Sequence, residues 1–254
     1  MPENQTPVRS ILLDVEGTTS SISFVYDVMF PYVREHLQEY LDNHWTDDAV
    51  QNCVALLRND IEEDSNWPAG DDGQQREAVA AAVIDLMDRD IKATGLKQIQ
   101  GLIWKNGFES GAMVAHLFDD VAQAMRDWES AGLDLRIYSS GSIAAQKLFF
   151  GHSVAGNLLP LISGHYDTTT GGKKEKSSYE IIASEIGMAA AEILFISDVA
   201  EELLAAEQAG MQTLLSVRPG NKPVDNKDDF TSIASFAEVA NVCSLAKAAS
   251  STDG

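Results

Sequence analysis

The stretch Ile11–Phe24, "ILLDVEGTTSSISF", decides how the rest of the chain is read. Ile11, Leu12 and Leu13 form an unbroken apolar run, the pattern of a short strand covered on both faces in a parallel sheet. The run stops at a carboxylate, Asp14, with a second, Glu16, two positions on, and then Gly17 and Thr18. Buried charges destabilise unless they are paired or coordinated, so two acids closing a buried strand call for a partner.

Downstream the pattern changes. Phe24, Val28, Phe30, Val33, Leu37, Tyr40 and Leu41 recur at helical spacing, with Pro31 as a kink or restart. Helical patterns continue through "TDDAVQNCVALLRNDIEED" (46–64) and "QQREAVAAAVIDLMDRDI" (74–91), separated by the turn-rich "SNWPAGDDG" (65–73). No strand is expected between about residue 22 and residue 117. Beyond that, helices and strands alternate. "FDDVAQAMRDWESAG" (118–132) reads as a helix closed by glycine, "LDLRIYSSGS" (133–142) as a strand entering a small-residue turn, and "SIAAQKLFFGH" (142–152) as a helix. "LPLISGHYD" (159–167) is extended, "KSSYEIIASEIG" (176–187) a helix, "EILFISD" (192–198) a strand, "AEELLAAEQAG" (200–210) a helix and "MQTLLSV" (211–217) a strand. This alternation predicts an α/β fold with a doubly wound parallel sheet. Residues 1–21 and 118–254 form its core, and an all-helical cap, residues 22–117, is inserted after the first strand. "AKAASSTDG" (246–254) is expected to fray.

The 254 residues carry 39 acidic and 18 basic side chains, a formal charge of -21. A field of that sign repels nucleic acid and anionic lipid, so neither is expected as a partner. A hydrophobic fraction of 44% and a charged fraction of 22% are those of a globular protein. Cys53 and Cys243 stand far apart with no metal-ligand spacing, which suits a reducing compartment. The start is polar, and no apolar run approaches the roughly 18 residues a membrane span needs. These features predict a cytoplasmic location.

Ligands of open parallel sheets bind at the carboxyl ends of the strands. Those ends carry Asp14 and Glu16, then Ser139 and Ser140 before Gly141, then Asp198, while "DTTTGGKKEKSSY" (167–179) offers Lys173 and Lys174 ahead of a helix. Taken singly, a strand-end Asp is a helix cap, serines before glycine are turn formers, and a lysine pair is a solvated face. Taken together, three carboxylates aimed at one spot repel one another unless a cation neutralises them, and Mg²⁺ is the fitting hard ion. A lysine and hydroxyls in the same crevice ask for an anion, and a phosphoryl group answers both. An acid beside metal and phosphate is placed to be a nucleophile, and a second acid two residues on to do general acid/base work. His36, His44, His116, His152 and His165 do not cluster and are expected to be structural, with His152, soon after the serines, the one worth testing.

In this order, "LLDVEGTT", "IYSSGS", "GGKK" and "ILFISDVAEELLAAEQAG" resemble the four motifs of the haloacid dehalogenase (HAD) superfamily of phosphohydrolases. Most phosphatases of that superfamily carry Asp-x-Asp where this chain has Asp14-Val15-Glu16. With that departure, "SSGSIAAQKLFFGHS", "YDTTTGGKKEKSSY", "VRPGN" and "IQGLIWKNGFESG" resemble the enolase-phosphatases (acireductone synthases) of methionine salvage. The resemblance implies a HAD-like core and a monomer. It implies a small phosphorylated diketone as substrate, 2,3-diketo-5-methylthiopentyl-1-phosphate, enolised and then dephosphorylated to the acireductone with one Mg²⁺ per subunit. It implies Asp14 as nucleophile and metal ligand, Glu16 as acid/base with its backbone carbonyl on the metal, and Asp198 as the remaining carboxylate ligand. Ser139, Ser140 and Lys173 bind the phosphate end, and the resemblance alone selects Lys173 over Lys174. Glu16, one methylene longer than the usual Asp, is expected to assist enolisation as well.

In the insert, Trp104 and Phe108 flank Lys105, among glycines Gly101, Gly107 and Gly111 spaced to let the backbone bend. Two readings stand side by side: a lid segment closing over the methylthio tail, or the core of a helical cap. A generic Mg²⁺-dependent phosphomonoesterase would carry Asp at position 16. A dehalogenase would leave the extra carboxylates without a purpose, and a silent scaffold would have no use for Asp14, Lys173 and Asp198 together.

Overall fold

The computed structural model describes residues 6–61, 70–225 and 227–246. The apolar run opens it as β1 (Ser10–Leu13), buried at every position. The chain then turns through residues 15–20, where the amides of Thr18, Thr19 and Ser20 all donate to the carbonyl of Val15. A six-residue π-helix, Phe24–Met29, leads into α1 (Phe30–His44), whose first turn holds Pro31. Pro31 stands where the π-helical segment passes directly into α-helix, with Met29 before it already in helical conformation.

Four helices follow one another: α1, α2 (Asp48–Asp60), α3 (Asp72–Asp88) and α4 (Thr94–Glu109). They belong to a compact unit, Tyr26–Met113, distinct from a second made of the residues up to Val25 and from Val114 onward. Within the helical unit, α4 packs on α2 and α1 packs on α3 and α4. Trp104 and Phe108 are buried in α4, and the Trp104 indole N–H donates to the Met29 carbonyl at 2.9 Å. They are core of the helical unit. Gly101 and Gly107 lie inside α4 and do not bend it, whereas Gly111, just past the helix, turns the chain at φ +77°. At Gly107 the reason is proximity, because a Cβ there would sit 2.7 Å from Tyr32 Cε1. The turn at 65–73 lies mostly outside the described residues.

The rest of the chain alternates α5 (Val121–Ser130), β2 (Asp134–Tyr138), α6 (Ile143–Gly151), β3 (Gly164–Tyr166), α7 (Lys176–Ile186), β4 (Ile193–Ser197), α8 (Ala200–Gln208), β5 (Gln212–Ser216), β6 (Ser232–Ile233) and α9 (Val239–Val242). The sheet has six strands in the order β3-β2-β1-β4-β5-β6, every pair parallel. Chain order reverses across β1 and β4, the switch point where such sheets bind ligands. Buried Leu12, Tyr138, Tyr179, Phe195, Leu203 and Leu215 belong to one core cluster on the sheet. Two expectations change. Leu159–Leu161 is a 3₁₀ turn around Pro160 rather than extended chain, since proline's fixed φ suits the turn. The short β6 carries no periodicity that could have announced it. The expected fraying of the C-terminus falls outside the described residues from 247 on. Among the described residues, no helix is long and apolar enough to cross a membrane.

Candidate active site

Asp14 stands immediately beyond β1, between its two sheet neighbours. Its amide donates to the Ile196 carbonyl of β4 at 3.0 Å, which continues the ladder one residue past the strand. The side chain is buried, and the Val15 amide donates to Oδ1 at 2.8 Å. The Lys173 ammonium donates to the same Oδ1 at 2.6 Å, while Ser197 Oγ at the end of β4 donates to Oδ2 at 3.2 Å.

Lys173 is paired twice. Its Nζ lies 2.6 Å from Glu202 Oε2 as well as from Asp14 Oδ1. Burial disfavours the charged ammonium, but Asp14 and Glu202 outweigh burial and raise its pKa, so it stays charged. The loop that carries it is fixed through three consecutive carbonyls. Tyr138 Oη donates to Gly171 O at 2.9 Å, Ser178 Oγ to Gly172 O at 2.8 Å and Tyr179 Oη to Lys173 O at 2.6 Å. A buried carbonyl left unpaired is costly, so each hydroxyl pins one link of that loop.

Asp198 follows β4 and faces the turn after Asp14. A Cβ on Gly17 would overlap the Asp198 carboxylate, and Gly17 has φ +71°, so both sterics and backbone conformation call for glycine. Burial first, then Asp14 and Glu202, push the Asp198 pKa up to about 7 against the pull of Lys173. Glu202, one turn into α8, is raised by burial and by Asp14 and held back by Lys173. It was not among the residues singled out in the sequence, yet it is buried and pairs with both Lys173 and Ser197 Oγ, the latter at 3.0 Å. No local pattern separates it from Glu201: Asp198 precedes α8, and the packing of the helix's first turn is what turns Glu202 inward. Its neighbour Glu201 points outward to exposed Lys174 at 3.7 Å.

Ser139 and Ser140 close β2, beside β1, and the register Leu13–Ile137 sets them just past the level of Asp14. Ser139 is buried and its Oγ accepts from the Gly141 amide at 3.1 Å. That serine turn is braced from β3 and α6, where Asp167 accepts from the Ile143 amide and Gln146 donates to the Gly141 carbonyl. Glu16 is partly exposed, and its backbone bridges to Ser20 across the turn. The histidines each have partners elsewhere. His36 and His152 meet the carbonyls of Tyr32 and Leu148, His44 meets Asp47, His165 meets Gln146, and His116 Nδ1 accepts from the Ser21 amide at 3.3 Å.

Asp14, Asp198 and Glu202 thus face a single lysine, so the crevice itself is net negative rather than the positive site an anionic substrate invites. Among the described residues, no three acidic, histidine or cysteine side chains form a ready-made metal cage. The donor set nevertheless suits a hard divalent ion. All the donors are oxygens, and three carboxylates, Asp14, Asp198 and Glu202, stand against the one ammonium of Lys173. Mg²⁺ in particular needs only one or two carboxylates alongside water and substrate oxygens.

The family of haloacid dehalogenase-like hydrolases matches residues 8–210. A protein of Pseudomonas aeruginosa described as "Enolase-phosphatase E1" is 44% identical over 232 residues, which cover 91% of this chain and 98% of that protein. One of Aedes aegypti with the same description is 42% identical over 247 residues, covering 93% of this chain, which spans 22% of that longer protein. Among solved structures, the UTR4 protein (Unknown transcript 4 protein) of Saccharomyces cerevisiae superposes with a TM-score of 0.76 at 33% identity, over 90% of this chain and 98% of that one.

Proposed function

The chain belongs to the haloacid dehalogenase-like hydrolases, and among them to the enolase-phosphatases, and from that membership we propose that it enolises 2,3-diketo-5-methylthiopentyl-1-phosphate and hydrolyses its phosphate ester to the acireductone of methionine salvage. The observation that carries this reading is the Asp14–Lys173–Glu202 chain of ion pairs at the switch point of the sheet, with the serine turn of β2 beside it.

Enolisation removes a proton from a carbon next to a carbonyl while negative charge gathers on oxygen. The Lys173 ammonium, buried and fixed by the clamps on its loop, stabilises that charge, and Glu16 takes the proton. In the phosphatase half, Ser139, Ser140 and Lys173 hold the phosphate end. A carboxylate oxygen of Asp14 attacks phosphorus, the ester P–O bond breaks, and Glu16 gives its proton to the departing oxygen. Glu16, now a carboxylate, takes a proton from water, whose oxygen displaces the phosphoryl group from Asp14 and restores the free acid pair. Asp14, Asp198 and the backbone carbonyl of Glu16 would hold one Mg²⁺ per chain, which would neutralise the carboxylates and the phosphoryl oxygens. Glu202 keeps the Lys173 ammonium charged and in place.

The test supplies the diketo phosphate with Mg²⁺ and follows enol absorbance together with released phosphate. Enol formation followed by stoichiometric phosphate is the expected result. Phosphate without enol points to a generic phosphomonoesterase, and neither product from folded protein refutes the reading. Asp14→Asn is expected to abolish phosphate release.

A further inference from the structure

The turn after β5, "VRPGN" (Val217–Asn221), has no role in the chemistry above, yet its side chains grip the backbone directly after Glu16. Ser216 Oγ donates to the Gly17 carbonyl at 3.2 Å and Asn221 Nδ2 donates to the same carbonyl at 2.9 Å. Arg218 Nε donates to the Thr18 carbonyl at 3.2 Å. Two consecutive carbonyls of the turn are thus held from β5, while its amides are held from within by Val15 O and Ser20 O.

Arg218 is anchored for this task. Its guanidinium lies between the rings of Phe118 and Phe236, 4.8 and 4.7 Å from their centroids, and its Nη1 donates to both Asp120 carboxylate oxygens at 2.9 and 3.0 Å and to Ala234 O at 2.9 Å. Asp120 in turn accepts from Ser235 Oγ at 3.0 Å and from the Phe236 amide at 2.6 Å. In a planar group locked by stacking and by a carboxylate the direction of Nε–H is fixed, and it points at Thr18 O. Packing alone does not account for the node. A buried ion pair gives no general advantage over apolar residues of the same volume.

We infer that Arg218, seconded by Ser216 and Asn221, is the positioning residue for Glu16. It fixes the Gly17–Thr18 carbonyls and so sets where the acid/base carboxyl stands against the substrate. The inference rests on the reading of Glu16 as acid/base.

Kinetics on the diketo phosphate with Mg²⁺ test it, with Arg218→Lys placed in the native chain and in a Glu16→Gln chain. Lysine keeps the charge opposite Asp120, but all its donors radiate from one nitrogen, so it cannot span from Asp120 to Thr18 O as the guanidinium does. The expected result in the native chain is a fall in kcat on the order of tenfold with KM within about twofold, since misplacing a catalytic group costs turnover while the phosphate end is held elsewhere. In the Glu16→Gln chain the same substitution is expected to cost less than about twofold, because the group it positions is already gone. Equal losses in both backgrounds, or a loss confined to KM, overturn the inference while leaving the role of Glu16 intact. A Glu16→Gln chain as active as the native one removes the acid/base reading and the inference with it. Should Arg218→Lys melt below the assay temperature, Asn221→Ala decides on the same criterion, since it deletes only the amide contacts with Gly17 O and Ser216 O.

Discussion

Two adjacent lysines and two adjacent glutamates sort themselves here by depth. Lys173 and Glu202 are buried and joined to Asp14, whereas Lys174 and Glu201 meet in solvent at 3.7 Å. Removing one member of a buried pair leaves an uncompensated charge and costs about 3–5 kcal/mol, while an exposed pair is worth about 0–1 kcal/mol. Lys173→Met is therefore expected to abolish phosphate release and to lower the unfolding free energy, and Lys174→Met to leave both within error, measured by phosphate assay and urea titration. Gly17→Ala is expected to be as severe for activity as a change at Asp14. Alanine at φ +71° costs about 1–2 kcal/mol, and its methyl group overlaps the Asp198 carboxylate. A Gly17→Ala protein with native turnover would contradict that contact. At this scale the sequence announced Asp14 and Asp198, because an acid ending an apolar run is a local pattern. Lys173 and Lys174 were indistinguishable in it, since depth is set by the packing of α7 and α8. Glu202 was hidden beside Glu201 for the same reason.

Elements were legible in proportion to their length and periodicity. The buried runs of β1, β4 and β5 and the helices between them stood out, whereas three-residue β3 and two-residue β6 are held by their neighbours in the sheet rather than by any pattern of their own. The same distinction explains the misread glycines of α4. Spacing suggested a flexible segment, but Gly107 serves close packing with Tyr32 within an unbroken helix. Trp104→Ala should accordingly behave as a core truncation, lowering stability by about 3–5 kcal/mol, with the Met29 carbonyl losing its donor. The loop between β3 and α7 is the opposite case, an irregular stretch made rigid by hydroxyls from outside it. Tyr179→Phe is expected to cost about 1–3 kcal/mol by leaving the Lys173 carbonyl unpaired, and to lower kcat more than it raises KM, because Lys173 is shifted rather than lost. Calorimetry and steady-state kinetics on the same preparation separate the two effects.

Across the whole molecule the governing fact is negative charge, -21 in formal terms, gathered even at the site of an anionic substrate. Asp14, Asp198 and Glu202 against Lys173 favour a cation or a proton, and burial first, then Asp14 and Glu202, push the Asp198 pKa up to about 7 from the ordinary 3.8. The pH dependence follows in sign. The folded state binds this proton more tightly than the unfolded chain, so its contribution to stability is complete below about pH 4 and is lost as the pH rises through about 7. In the presence of a chelator, the melting temperature is therefore expected to fall between pH 5 and 7.5, and to fall less in Asp198→Asn, which has no proton to lose at this position. General repulsion among surface acids is common to both proteins and cancels in the comparison. Adding Mg²⁺ is expected to raise the melting temperature more at pH 7.5 than at pH 5, since a cation and a proton compete for the same carboxylates. Equal stabilisation at both pH values would separate the ion from Asp198. A slope unchanged by Asp198→Asn would place the proton elsewhere in the crevice, with Glu202→Gln the variant that tracks it.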